Sequence, residues 1–529
     1  MTLPLVASEP LRASAADSTL HPFGCENVAS LVLRHAQTAP HRLAFIATDQ
    51  MGGVVSYGEL AVRVAAFAHD LERAGVGAGD RVLLLLPMSV DLYALALAIL
   101  ASGAAVTLVD GRLAPRRLLA AISDAEAHTI VAPAALMRWW PLVRATWRMR
   151  RCTLDGWALG SSRLRGRGAR SAPTVTDVRA DHPALISFTS GSTGRAKAIV
   201  RTHGVLTAQH RALAAAFPSA ADDVNLPGFP VAALHNLCCG STTVLPSTRD
   251  ARPHNVAQRA EAMLTLVRLH GVTSLSASPA VLDALAAAVL RSRDPVPTLR
   301  RIVVGGGPVS RRLCDRVLRA FPDAEATVIY GATEAEPIAT VSMAEVLTAA
   351  GTGFLVGRGV PSVEVALRGG DGRATGDIEP GIGEVTVRGA HVIQAATASG
   401  RDAGWHRTGD VGAFDARGRL WLLGRIGFSV THRGRELHPY IVEAEALAID
   451  GVRAAALVRH AHAPDGELVI SLSADADGCL VQKSIKERLE ALDCSTLPVR
   501  VCAEIPMDAR HASKVAREEL VRRLSGVGR

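Results

Sequence analysis

Paired cysteines, a leader-like apolar stretch and a basic nucleic-acid motif are all missing from this sequence, and each absence removes a class of protein. The eight cysteines, at 25, 152, 238, 239, 314, 479, 494 and 502, include no C-x-x-C pair and no zinc-site spacing. A disulfide scaffold and a zinc module are therefore not expected, and the thiols read as reduced, in a cytoplasmic protein. Leu3 to Ala7 is too short and interrupted for the apolar core of a signal peptide. The 58 Lys and Arg exceed the 50 Asp and Glu by only eight charges over 529 residues. That excess can draw anionic substrates or an anionic membrane surface, but without a basic motif no nucleic-acid partner is expected. Short repeats are also lacking. A hydrophobic content of 48% against 20% charged residues excludes a disordered chain, and the length predicts at least two domains with an ample core.

Only Leu92 to Val109 comes near the length of a membrane span, and Ser102-Gly103 divides it before Asp110 ends it. It reads as a buried helix, a turn and a strand. Arg81 to Pro87, RVLLLLP, reads as a parallel strand covered on both faces. Predicted helices at Ser30–Gln37, Tyr57–Ala74 and Ala114–Ala125 alternate with predicted strands at Arg81–Leu86, Ala105–Val109 and Thr129–Ala132, which argues for α/β layers. Between Arg138 and Arg170, Trp139, Trp140, Trp147 and Trp157 are interleaved with nine arginines. Such a stretch either lies on a membrane surface or is a solvated excursion whose tryptophans pack locally, and its tail, Gly160 to Thr174, reads as a loop.

The chemistry concentrates first at Ile186 to His203, ISFTSGSTGRAKAIVRTH. An apolar run feeds Thr189, Ser190, Gly191, Ser192, Thr193 and Gly194, followed by Arg195 and Lys197. Glycines let backbone N–H groups approach a ligand closely, hydroxyls donate, and cations neutralise charge, a combination suited to a polyphosphate. A Gly/Ser linker is the bland alternative, but linkers rarely combine a leading strand, two cations and an apolar continuation. Ala198 after Lys197 excludes a Walker A loop, and no G-x-S-x-G passes through Ser190 or Ser192.

Further along come NLPGFPVAALHNLCCG (Asn225 to Gly240), LRRIVVGGGP (Leu299 to Pro308) and TVIYGATE (Thr327 to Glu334). The second opens a strand into a glycine turn. In the third, a strand is expected to end at Tyr330, whose ring can stack on a purine; Thr333 offers a hydroxyl and Glu334 a carboxylate for a hard cation. GEVTVRG (Gly383 to Gly389) begins a β-rich portion, then Trp405 to Asp410 reads W-H-R-T-G-D, and a hairpin, Asp415 to Arg425, follows. The last hundred residues read as a small α/β unit, with Pro439 before a helix carrying Val442-Glu443, strands at Ala454–Val458 and Leu468–Leu472, and a helix at Ile485–Leu492. Lys514 stands on a loop before a final helix.

In order and spacing these motifs resemble the adenylate-forming superfamily of acyl-CoA synthetases, adenylation domains and luciferases. Phe229-Pro230, Tyr330 to Pro337 and Asp508 to Lys514 resemble its olefin-pathway β-lactone synthetases most. The resemblance implies a large multi-layer N-terminal α/β domain, residues 1–425, and a small mobile C-terminal α/β domain, residues 426–529. It implies ATP and Mg²⁺, with the triphosphate on Thr189 to Gly194 and Lys197, adenine at Gly306, Gly307 and Tyr330, and ribose at Asp410 and Arg425. It makes Lys514, Thr333 and Glu334 catalytic, with Glu334 on the metal, and gives Phe229 and His235 to the acyl pocket. The implied substrate is a small-molecule carboxylic acid with a long acyl chain. After acyl-AMP forms, a β-hydroxyl closes a lactone, or CoA or a carrier-protein thiol takes the acyl group, or the chain is an inactive nucleotide-binding scaffold. Association with a membrane surface or a pathway enzyme is a further expectation. Ala196 and Ala198 beside Lys197, and Gly427 in place of a charged hinge residue, depart from the family pattern.

Overall fold

The computed structural model describes residues 27–48, 53–109, 115–140, 143–167, 173–190, 196–246, 255–369, 381–394, 404–474, 476–508 and 513–526. The chain is α/β, built on a seven-stranded sheet, a thirteen-stranded sheet and a small three-stranded sheet, with helices packed on them.

The seven-stranded sheet runs Ser162–Arg163, Arg150–Thr153, Thr129–Val131, Arg81–Leu84, Ala105–Leu108, Pro183–Ser190 and Ala196–Thr202, parallel except for the last pair. Its apolar runs face two cores. Val82 and Leu84 join one cluster and Leu83 and Leu85 the other, as the period-two alternation of a strand requires. Helix Val90–Ala101 starts where the Ser89 side chain accepts from the Leu92 amide, and ten of its twelve residues are buried. That burial explains a span-like composition inside a globular layer; among the described residues no helix is long and apolar enough to cross a membrane. Helix Tyr57–Arg73, beside it, begins in a reciprocal Ser56–Glu59 capping box.

The thirteen-stranded sheet joins a parallel half, which includes Arg301–Val304 and Glu325–Ala332, to an antiparallel half ending at Val363–Arg368. After Arg425 the strands leave this sheet. Val452–His460, Ala463–Leu472 and Val499–Cys502 form the small one. Ala455 and Leu457 face the helices Pro439–Leu447 and Gly478–Ala491, while Ala456 and Val458 face Leu520 of helix Arg517–Leu524.

Three sequence expectations need correction. The strand expected to end at Tyr330 continues through Ala332, because Gly331 lets it turn directly into Ala335–Ser342: a Cβ there would lie 3.0 Å from the Ala335 carbonyl. The β-rich portion begins before Gly383, since Val363–Arg368 already pairs with Ile382–Gly389. The tail expected as a loop contains strand Ser162–Arg163, held by Cys152 and Thr153. Of the four tryptophans between 138 and 170, Trp140 is buried, whereas Trp139, Trp147 and Trp157 are 69%, 63% and 69% exposed.

Candidate active site

Strand Pro183–Ser190 pairs in parallel with Ala105–Leu108 and delivers the glycine-rich loop at its carboxyl end, where ligand loops of α/β sheets gather. The strand then returns antiparallel, with Thr189 opposite Lys197 and Ser190 opposite Ala196. Gly191, Ser192, Thr193 and Gly194 lie outside the described residues, as do the side chains of Thr189, Ser190 and Lys197.

Thr333 and Glu334 occupy the two-residue tip of the hairpin between Ala332 and Ala335, which are directly paired. Both of their carbonyls are held. Arg201 donates from Nη2 to the Thr333 oxygen at 2.8 Å, and the Ile393 amide donates to the Glu334 oxygen at 2.8 Å. Arg201 also donates to Ser187 Oγ at 3.2 Å, and it is only 5% exposed. Burial pulls its guanidinium down, and the nearby carboxylates of Glu336 and Glu334 push it back up. Nothing in the sequence singles this residue out. Its place two and four positions beyond Ile199 and Lys197, on one strand face, looks the same whether that face is buried or wet.

Tyr330, Asp410 and Arg425 come together. The Tyr330 hydroxyl donates to Asp410 Oδ2 at 2.8 Å, and Arg425 Nε reaches Oδ1 at 3.2 Å from the directly opposite position on the next strand. Thr408 ties the pair: its hydroxyl accepts from the Asp410 amide at 3.1 Å, and its carbonyl accepts from Arg425 Nη2 at 3.2 Å. Burial pushes the Asp410 carboxyl up; Arg425, then Tyr330, then Lys514 hold it down. Burial, with Asp410 beside it, raises the Tyr330 phenol well above its ordinary range. A carboxylate so placed has two oxygens already oriented toward donors.

Lys514 is exposed, on a loop closed by Asp508. The Asp508 carboxylate accepts from the amides of Ser513 and Lys514 at 3.1 and 2.9 Å. Ser513 meets the start of helix Pro279–Ser292 and the glycine turn: the Ala280 amide donates to its Oγ at 3.3 Å, and a Cβ on Gly307 would sit 2.7 Å from the Ser513 Cβ. Gly306, at φ +82°, has the Phe229 ring 3.6 Å from where its own Cβ would be. The glycine turn thus joins Phe229 to the Lys514 loop. His235 is not part of this gathering. It lies six residues beyond Phe229 on helix Pro230–Cys239, about 9 Å along the axis and on another face.

A hairpin carboxylate, a Tyr–Asp–Arg group with a buried tyrosine and an exposed arginine, a glycine turn and a lysine on a loop that follows a separate small sheet define one class of protein. The chain belongs to the AMP-binding enzyme family, which matches residues 32–395, and it is an adenylate-forming enzyme. It is 30% identical to the olefin β-lactone synthetase of Stenotrophomonas maltophilia, over 93% of this chain and 97% of that protein. It is 29% identical to a feruloyl-CoA synthase of an Amycolatopsis species, over 86% of this chain and 89% of that one. In fold it is similar to ATP-bound MatB from Rhodopseudomonas palustris, with a TM-score of 0.78 and 22% identity over 95% of this chain and 99% of that one.

Proposed function

We propose that the protein uses ATP and Mg²⁺ to convert a fatty acid to its acyl-adenylate and, where the acid carries a β-hydroxyl, then closes a β-lactone. In the first step a carboxylate oxygen bonds to the α-phosphorus as the bond to pyrophosphate breaks. In the second the acid's own β-hydroxyl attacks the carbonyl, its proton is lost and AMP leaves. The observation that carries the reading is the seat of Ser513, the neighbour of Lys514, on Gly307 and the Ala280 amide, together with the joined Tyr330, Asp410 and Arg425.

In this reading Thr189 to Gly194 and Lys197 cradle the triphosphate, Gly306, Gly307 and Tyr330 border adenine, Asp410 and Arg425 hold ribose, and Phe229 borders the acyl chain. Lys514 and Thr333 stabilise charge at the α-phosphate, so catalysis is positioning and electrostatics. Glu334, on a turn fixed at both carbonyls, offers the oxygen donor a hard cation takes; Mg²⁺ there would neutralise phosphate charge. The chain would divide at 425/426, and Gly427, at φ +84° with open space around its Cβ position, suits a hinge. The free thiols among the described residues are in keeping with a cytoplasmic enzyme.

Similarity to a β-lactone synthetase over nearly the whole chain supports the lactone step. Similarity to a CoA synthase supports a second reading, transfer to CoA or a carrier-protein thiol. Mass spectrometry of products from ATP and a panel of acids, with and without CoA, separates them. Lactone from a long β-hydroxy acid without CoA is expected; turnover strictly dependent on CoA would overturn it.

A further inference from the structure

The helices His203–Ala216 and Pro230–Cys239 bring His210, His235 and Cys239 into one cluster. It is the single group of this kind among the described residues in which three ligand atoms, one from each side chain, lie within 4.8 Å of one another. His235 and Cys239 are four residues apart on one helix, so they project from the same face one turn apart. The Cys239 Sγ lies 3.5 Å from His235 Nε2, and the Nδ1 atoms of His210 and His235 are 3.1 Å apart. We propose that His210, His235 and Cys239 form a three-ligand site for a borderline-soft divalent cation of the zinc type, which staples these two helices together.

The donor set decides the class of ion. Two imidazoles and a thiolate suit Zn²⁺ and its neighbours, while Mg²⁺ and Ca²⁺ require oxygen donors. Bonds of about 2.3 Å to sulfur and about 2.0–2.1 Å to nitrogen give tetrahedral edges of about 3.3–3.6 Å. The Cys239 Sγ–His235 Nε2 edge already has that length; His210 Nδ1 faces the other nitrogen of His235, Nδ1, so the His210 ring turns toward Nε2 when the ion binds. Helix His203–Ala216 follows directly on the strand that carries Lys197 and Arg201, and helix Pro230–Cys239 begins at Phe229. A cation here would fix the phosphate-loop strand relative to the wall at Phe229, whichever acyl acceptor the enzyme uses.

The test is a Co²⁺ titration of the full-length protein under reducing conditions, with Zn²⁺ as competitor. A thiolate-to-cobalt charge-transfer band with the visible bands of a four-coordinate site is expected at one equivalent, displaced by Zn²⁺. The charge-transfer band should vanish in Cys239→Ser, and His210→Gln should weaken cobalt binding at least about tenfold. Circular dichroism of each variant checks that it is folded. Absence of the band in the wild type, its persistence in folded Cys239→Ser, or undiminished affinity in folded His210→Gln would overturn the proposal. Should Cys239→Ser misfold, His235→Gln replaces it, with loss of the band expected and retention overturning the site.

Discussion

Ser513 rests on Gly307 so closely that even a methyl group there would collide, its Cβ falling 2.7 Å from the Ser513 Cβ and 2.9 Å from the Ser513 carbonyl oxygen. The contact is the seat on which the lysine-bearing loop is docked. Gly307→Ala must therefore displace the residue next to Lys514. A shift of about 1 Å at a reacting group costs on the order of 100-fold. Pyrophosphate exchange should fall by roughly that factor, with the thermal midpoint nearly unchanged; exchange at the wild-type rate would show that the docked loop is not the one that activates the acid.

Removing the ammonium itself is the sharper experiment. Lys514→Ala should abolish acid-dependent pyrophosphate release, by about 100-fold or more, while ATP binding measured by calorimetry stays largely intact. The residue is exposed and its backbone is held by Asp508, so truncation leaves the loop's own bonds in place. Unchanged turnover would remove Lys514 from the mechanism.

Arg201 should matter to stability and catalysis together. Arg201→Met deprives the Thr333 carbonyl of a charged donor and removes the positive charge that offsets the burial of Glu336. Loss of one such buried bond costs about 1.5–3 kcal/mol. A thermal midpoint lower by several degrees is expected, together with slower adenylation as the Thr333–Glu334 tip loosens. A variant with wild-type midpoint and rate would show that the tip is held by other means.

His203 gives the fold an acid sensitivity. It is fully buried, its Nδ1 accepts from the Val28 amide at 3.1 Å, and its Nε2 has no partner among the described residues. Burial lowers it to about 4 from an ordinary 6.5. The unfolded chain then binds a proton between those values that the folded chain refuses, so stability is full above pH 6.5 and falls as pH drops toward 4. The slope from this group is about 1.4 kcal/mol per pH unit. Melting curves from pH 7.5 to 5 should show the decline, and His203→Gln should show a shallower one. Equal slopes in the two proteins would mean that other groups carry the effect.

Much of the architecture could be read from residue order because its causes are local. Ser56-x-x-Glu59 announces a helix start through a bond it makes itself, and Arg81 to Leu84 announces a two-sided strand through unbroken apolar character. Asp410 and Arg425 lie on consecutive strands of one hairpin, so their meeting is also a short-range matter. The Tyr330 hydroxyl on Asp410 is different, for it joins residues eighty positions apart across four strand pairings. Arg201 stayed hidden because a strand arginine carries no mark of burial. The partnership of His210 with His235 depends on how two helices cross, which neither helix encodes alone. The exposure of Trp139, Trp147 and Trp157 follows from which side of the sheet edge the chain takes, and their composition was equally compatible with packing.

Lysine occurs only four times in the chain, at 197, 483, 486 and 514, against 54 arginines. An acyl-adenylate is a mixed anhydride, and amines attack it readily; guanidinium groups stay protonated and do not. An acyl-adenylate that escaped would meet few lysine amines. The exposed amine of Lys514, held over the site by its Asp508-closed loop, is then the nitrogen most open to acylation by the enzyme's own product, a chemical wear point that a long-lived catalyst would record as a mass shift on one peptide.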